Sequence, residues 1–183
     1  MKCLDLSSKH LCNVAGQGIA IALCNNNTLT NLNLEGNYLS DEAGTALAMA
    51  LSKNITLKCL NLKNNELGNK AGALIAEALC KNATLTNLCL GDNNLGELAI
   101  KPLAKALYKN ITLTHLDLSN IRLNESAIKA LADALSKNIT LTNLDLSWNE
   151  LGESAGKALA EALGKNTSLI DLIHNPHMND RIL

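Results

Sequence analysis

The chain has 183 residues, a formal net charge of −1 and 47% hydrophobic residues. A charge this close to zero argues against strong general binding to nucleic acid or to an acidic membrane, and no apolar run reaches membrane-spanning length. The first residues already carry the pattern of the rest of the chain, so we expect a cytoplasmic protein without a cleaved signal peptide, and neither a nucleic acid nor a membrane as its partner.

A unit of 28 residues recurs along the sequence without insertion or deletion. Repeats begin near residues 1, 28, 56, 84, 112 and 140, and the last segment, 168–183, departs from the pattern. A fixed period of this size is typical of a solenoid, in which each repeat packs only against its neighbours. We therefore predict a single domain over residues 1–183, with 168–183 as its C-terminal cap.

Each repeat is predicted to contain one short strand and one helix. In the second repeat, Leu32 and Leu34 alternate with polar residues, as in a strand with one buried face. Residues 41–52 follow, where Ala43 and Leu47 begin the apolar stripe of a helix. Stacked strands of this kind pair in parallel. Because paired strands lie ~4.8 Å apart and packed helices roughly 8–10 Å apart, the stack should curve with its strands inside.

The ends of the helices also follow a pattern. Ser40, and Asn124 in a later repeat, precede a helix and are expected to cap it. An asparagine after each helix is expected to adopt the left-handed conformation that often ends helices; this column is Asn26, Asn54, Asn82, Asn110, Asn138 and Asn166. A lysine precedes most of these asparagines and complements the negative end of the helix dipole; this column is Lys53, Lys81, Lys109, Lys137 and Lys165.

The pattern LxxLxLxxNxLxxxGxxxLAxAL resembles the ribonuclease-inhibitor-like leucine-rich repeats. In the third repeat its positions are Leu57, Leu60, Leu62, Asn65, Leu67, Gly72, Ile75, Ala76, Ala78 and Leu79. The resemblance implies an α/β fold: a leucine-rich repeat solenoid, or right-handed α/β horseshoe, with parallel strands on the concave face and helices on the convex face. It also implies a module that binds other proteins. A further implication is a ladder of buried asparagines bonded to neighbouring turns, at Asn37, Asn65, Asn93 and Asn149.

Repeats four and five depart from this pattern. Ile100 and Ile128 replace a glycine, Pro102 lies inside the fourth helix, and Ile121 replaces the ladder asparagine. We expect the larger side chains to widen the local spacing of the helices. The alternative is a bend or ridge that serves a partner.

The inward leucines place alternate strand residues on the open concave face, where carboxylates outnumber the one lysine. A mildly acidic face favours a protein partner with a basic surface, through electrostatic steering. Trp148 is expected to be the anchor, since tryptophan is enriched at interface hot spots; alternatively its indole covers Met178 and shields the core. The candidate partner-binding residues are Glu35, Lys63, Asp92, His115, Asp117, Asp145, Trp148 and Asp171.

Cys89, His115 and Asp117 should lie near one another, so a nucleophilic cysteine or a metal site is conceivable. An ordinary polar lining is favoured, because no helix N-terminus or pocket is expected behind the cysteine, and the sequence contains no phosphate loop, CxxC or HExxH motif. We predict no enzymatic activity, no cofactor and no metal. The six cysteines should be free thiols, because their columns lie too far apart for disulfides.

Three functions fit the resemblance. The favoured one is a monomeric effector of a pathogenic bacterium, similar to those with GALA-type repeats, that binds a host protein in the host cytoplasm. The apolar end of the chain, 179–183, weakly resembles a translocation signal of such effectors. The alternatives are the repeat portion of a nucleotide-binding immune-type receptor and a regulator of a small GTPase.

Overall fold

The computed structural model describes residues 2–174. Within them, seven three-residue strands alternate with six helices. The strands are β1 Cys3–Asp5, β2 Asn31–Asn33, β3 Cys59–Asn61, β4 Asn87–Cys89, β5 His115–Asp117, β6 Asn143–Asp145 and β7 Asp171–Ile173. The helices are α1 Asn13–Asn25, α2 Asp41–Leu51, α3 Asn69–Leu79, α4 Glu97–Lys109, α5 Glu125–Leu135 and α6 Glu153–Leu163.

The strands form one parallel sheet in chain order, from β1 to β7. Equivalent residues of successive repeats face each other, so Leu32 pairs with Leu4 on one side and Leu60 on the other. The strands line the concave face and the helices cover the convex face. This confirms the predicted leucine-rich repeat solenoid, and it places the same repeat position at the same height in every repeat.

Leucine and alanine fill the space between the sheet and the helices. In the second repeat, Leu32, Leu34, Leu39, Leu47 and Leu51 are all buried. The larger aromatic residues of the described chain, by contrast, are exposed. A core built from stacked columns of small and medium side chains needs no large ring, which agrees with the absence of phenylalanine from the sequence.

The predicted asparagine ladder is confirmed. Asn65 accepts a hydrogen bond from the backbone N–H of Leu39 at 3.1 Å and donates to the carbonyls of Leu34 and Leu62 at 3.0 and 3.1 Å. The same arrangement recurs in other repeats at Asn37, Asn93 and Asn149. Each buried amide thereby forms hydrogen bonds with backbone groups of the turns that the pairing of the strands does not satisfy.

The prediction of left-handed asparagines after the helices is wrong. Asn110 has a φ of −76°, and none of the residues with positive φ belongs to this column. These asparagines instead form a second ladder: Asn54 donates to the carbonyl of Leu23 at 2.9 Å and accepts from the N–H of Leu57 at 2.7 Å. In helices α1 to α5, an asparagine of the next repeat bonds a carbonyl near the helix end, so the helix needs no left-handed residue there.

The two predicted helix caps have different outcomes. The cap at Asn124 is confirmed, because its side chain accepts from the N–H of Ala127 at 2.8 Å. The prediction that Ser40 caps its helix is wrong, since the Ser40 hydroxyl donates to Glu42 at 2.5 Å and makes no bond to the helix backbone.

Two helices are capped by the preceding repeat. The carboxylate of Asp41, at the start of α2, accepts from the N–H groups of Gly68 and Ala71 at 2.9 Å. Asn69 does the same for the start of α4. A glycine precedes both α3 and α4, so the side chain that bonds their free N–H groups has to come from a neighbour.

The spacing of the helices follows the glycine column. A Cβ atom on Gly16 would lie 2.6 Å from the Cβ of Ala43, and one on Gly72 would lie 2.5 Å from that of Ala99. Helices α1 to α4 therefore pack closely. The helix pairs α4–α5 and α5–α6 approach each other less closely, which confirms the widening expected from Ile100 and Ile128. Within residues 2–174, no helix has the length and apolar character needed to cross a membrane.

Candidate protein-binding face

All eight candidate residues lie in the described part of the chain. His115, Asp117, Asp145 and Asp171 are strand residues, and Glu35, Lys63, Asp92 and Trp148 follow the ends of strands. The structure brings three of the eight together, namely Lys63, Asp92 and Asp117. No hydrogen bond or ion pair joins the other five to one another.

The Lys63 cluster is the main polar contact of the concave face. The Nζ of Lys63 lies 3.3 Å from a carboxylate oxygen of Asp117 and 3.5 Å from one of Asp92, and it donates to the hydroxyl of Ser119 at 3.1 Å. The lysine reaches from repeat three to repeat five because Gly91, in between, has no side chain. A Cβ atom on Gly91 would lie 2.8 Å from Asp117 Oδ1.

Charge governs the titration of this lysine. Partial burial alone would lower the pKa of Lys63, but the charges and hydrogen bonds of Asp117 and Asp92 raise it above its ordinary value. Lys63 therefore stays charged at neutral pH and offsets one of the two carboxylate charges beside it.

The acidic face predicted from the sequence is thus divided into two parts. In its middle, Lys63 offsets part of the negative charge, while no described cation lies within ion-pair distance of Glu35, Asp145 or Asp171. Ser119 and Gly91 also belong to the cluster, although neither was among the predicted residues. The available signal was a lysine followed, one repeat later in the same column, by a glycine that leaves room for it.

The chemistry around Cys89 does not suit a nucleophile. Burial, followed by the negative charge of Asp117, raises the pKa of Cys89 to about 11, whereas a reactive cysteine needs a lowered pKa. His115 is exposed and its Nδ1 is hydrogen-bonded to the hydroxyl of Thr114 at 2.9 Å. Across residues 2–174, no group of three or more histidines, cysteines and carboxylates is arranged to hold a metal ion. These side chains form a polar lining.

Trp148 combines exposure with an unusual backbone conformation. Its side chain is 71% exposed, and its φ is +59°. The equivalent residues of the preceding repeats also have positive φ, but they are small or polar: Ser8, Gly36, Asn64, Asp92 and Asn120. Glycine, asparagine and aspartate tolerate this conformation, while a bulky side chain is strained in it. The alternative contact with Met178 lies outside the described residues.

The fold and its open polar face define a class of protein, the repeat scaffold that serves as a protein–protein interaction module. The family profile described as "Leucine Rich repeat" matches residues 25–48, 53–76, 109–132 and 137–160, which together make up just over half of the chain. The chain belongs to the leucine-rich repeat family. Among curated protein sequences, none matches it significantly.

Solved structures with a similar fold include the actin-binding site 2 of leiomodin-1, with a TM-score of 0.66 and 22% identity over 75% of this chain and 80% of that one. The C-terminal domain of Caenorhabditis elegans tropomodulin has a TM-score of 0.66 and 14% identity over 78% and 86%. A chain of the yeast Rad7–Elc1 complex has a TM-score of 0.52 and 18% identity over 99% and 51%. At these identities the likeness shows the fold alone.

Proposed function

We propose that this chain binds a protein partner on the C-terminal half of its concave face, with Trp148 as the anchor. The main support is that Trp148 combines a strained backbone conformation with an exposed side chain. Asparagine or glycine would occupy that position at little cost, as they do in earlier repeats. A strained residue that persists in an exposed position suggests a functional role, and tryptophan is the residue type most enriched at hot spots.

The charges near Trp148 favour a partner with a basic surface. Asp145 and Asp171 carry no compensating cation among the described residues, so they can steer a basic partner towards the tryptophan. Glu35 extends this acidic character at the other end of the face. The proposed surface also includes Lys63, Asp92, His115 and Asp117. Because Lys63 offsets part of the negative charge there, these residues contribute complementarity rather than long-range attraction.

The substitution Trp148→Asn tests the anchor. We expect affinity for the partner to fall by about 2 kcal/mol or more, while the free energy of unfolding rises by about 0.5–1 kcal/mol because asparagine relieves the strain. The matched control is Tyr108→Asn, which removes an exposed aromatic residue from a different side of the molecule and should change neither affinity nor strain. A sharp loss of stability in Trp148→Asn with unchanged affinity would assign the indole to the cap instead.

The partner can be sought with the same variant. Proteins captured from cytosol by the wild-type chain and lost with Trp148→Asn are candidates for the physiological partner. Purified actin belongs in this test, because one structural neighbour is the actin-binding site 2 of leiomodin-1. Capture that is identical for both baits would mean that the concave face around Trp148 is not the binding site.

For the cellular setting, we propose a monomeric bacterial effector that acts in host cytoplasm. The support is the helix sequence of residues 72–79, GALIAEAL, which resembles GALA-type repeats. A partner present in eukaryotic cytosol and missing from bacterial lysate would agree with this setting. A partner that is a small GTPase, with altered GTP hydrolysis, would favour the regulator instead, and a longer parent chain with a nucleotide-binding domain would favour the receptor.

A further inference from the structure

One side of the solenoid is basic and contains no carboxylate. We call it the basic edge, and it consists of the six segments that link a helix end to the next strand: 24–30, 52–58, 80–86, 108–114, 136–142 and 164–170. They contain no aspartate or glutamate. Their six lysines are all exposed: Lys53, Lys58, Lys81, Lys109, Lys137 and Lys165.

The opposite edge has the opposite charge. The six segments that link a strand end to the next helix are 7–14, 35–42, 63–70, 91–98, 119–126 and 147–154, and they carry nine carboxylates against four lysine and arginine residues. The net charge of −1 therefore conceals two sides of different sign. An expectation of no membrane partner that rests on net charge alone does not apply to a molecule with this separation.

The basic edge also presents apolar side chains. Its four isoleucines are 72–85% exposed: Ile55, Ile111, Ile139 and Ile170. Three of them occupy the same repeat position, two residues after a lysine, and a buried leucine follows two residues later in each repeat. Tyr108 adds an exposed ring, and the Nζ of Lys137 lies 5.3 Å from its centroid. These isoleucines contribute little to the core, so their side chains are free to contact another surface.

We infer that the basic edge docks on an anionic lipid membrane. Lysines attract acidic headgroups, and aliphatic side chains beside them can enter the interfacial layer. A nucleic acid would use the lysines, but branched aliphatic side chains neither bond phosphates nor stack on bases. An anionic membrane makes use of both the lysines and the isoleucines.

The geometry of the solenoid suits this orientation. Because the strands pair in register, equivalent lysines and isoleucines lie on one side, with neighbouring helix ends roughly 8–10 Å apart. Trp148 follows the end of β6 and therefore belongs to the opposite edge. A membrane below the basic edge would leave the concave face open, so this inference stands independently of the proposed protein partner.

Vesicle co-sedimentation tests the inference, with vesicles of phosphatidylcholine alone and of an equimolar mixture with phosphatidylserine. The wild-type chain should bind only the anionic vesicles. The variants Lys109→Gln/Lys137→Gln and Ile111→Ser/Ile139→Ser should each weaken binding by at least about tenfold. The matched control, Lys70→Gln/Lys105→Gln, makes the same charge change at exposed lysines outside the basic edge and should bind like the wild type.

Tryptophan fluorescence provides a second readout. Trp148 is the only tryptophan, so Ile111→Trp in a Trp148→Asn background reports on the basic edge alone, and its emission should shift to the blue on anionic vesicles. Equal weakening by the control pair, or vesicle binding without a blue shift, would overturn the inference. So would binding to single-stranded RNA without vesicle binding, if it depends on the lysines and not on the isoleucines.

Discussion

Buried asparagines connect each repeat to the next at two positions. After the strand, Asn65 bonds to four backbone groups that belong to its own repeat and the preceding one. After the helix, Asn54 bonds to the end of the preceding helix. A buried donor or acceptor without a partner costs about 1–3 kcal/mol, so these amides contribute to stability mainly by preventing unpaired groups.

We predict that Asn65→Ala lowers the free energy of unfolding by about 1–3 kcal/mol, because the N–H of Leu39 is left without a partner, while the carbonyls of Leu34 and Leu62 each keep a second hydrogen bond. Urea denaturation measures the change. The matched control is Asn94→Ala at an exposed position, which should stay close to the wild type. Similar losses in both variants would mean that the ladder has no special role.

The repeats without a ladder asparagine show how the amide affects the backbone conformation of the turn. Lys9 and Ile121 stand at that position, and in each case the following residue, His10 or Arg122, has a positive φ of 54° or 57°. In the repeats with asparagine, only the residue before the amide has positive φ. The resemblance to leucine-rich repeats predicted the ladder, but the altered turn depends on contacts between repeats that no local pattern contains.

Glu97 links the start of α4 to the start of α5 and makes stability depend on pH. Its carboxylate ion-pairs with Lys101 and accepts hydrogen bonds from Asn124 and Ser126, both at 2.9 Å. These contacts, that of Lys101 first, lower the pKa of Glu97 from 4.5 to about 2. A lowered pKa means that the contribution is fully present above about pH 4.5 and is lost as the pH falls through about 2.

We therefore predict that Glu97→Gln lowers the melting temperature at neutral pH, and that the difference from the wild type shrinks below pH 4.5 and vanishes near pH 2. Melting curves over this range measure it. Glu77→Gln removes an exposed glutamate that has no ion pair among the described residues, and it should show no such pH dependence. A difference that is constant with pH would exclude the carboxylate charge as the cause.

At the scale of elements, two glycines of α1 have opposite roles. A Cβ atom on Gly16 would lie 2.6 Å from the Cβ of Ala43 and 2.9 Å from Leu39, whereas one on Gly18 would meet nothing within 4 Å. Gly16 therefore permits the close approach of α2, and Gly18 only adds flexibility to the helix.

We predict that Gly16→Ala lowers the free energy of unfolding by about 1–2 kcal/mol, because the cost of overpacking exceeds the gain in helix propensity. Gly18→Ala on the same helix should raise it by about 0.5–1 kcal/mol. Adding Ala43→Gly to Gly16→Ala should restore part of the loss, since it removes the clashing methyl group. Stabilisation by both alanines would show that the helices can separate at no cost.

The sequence predicts elements better than it predicts their ends. The leucine and alanine columns were sufficient for the strands, the helices and the wider spacing at Ile128, because those features depend on residue size at a fixed repeat position. The cap expected from Ser40 failed, since α2 begins beside Glu42, which takes the hydroxyl. In the binding face, Lys63 and Asp117 were predicted as separate charges. They form an ion pair because Gly91, in the repeat between them, has no side chain.

At the scale of the molecule, stability depends on how the row of repeats ends. The sheet is continuous from β1 to β7, so we propose that residues 1–183 form one domain that unfolds in a single transition. His174 stands where the second to sixth repeats have a buried leucine, and it is exposed. This agrees with a core that finishes at the last repeat.

The strand β7 covers the end of that core, so its removal should be costly. Leu172 pairs with Leu144, and the N–H of Leu146 donates to the carbonyl of Ile173 at 2.8 Å. A chain ending at residue 167 would expose this layer, and we predict aggregation or a markedly lower melting temperature, because each repeat completes its burial against the next. If the shorter chain is soluble and its melting is unchanged, residues 168–183 do not act as a cap.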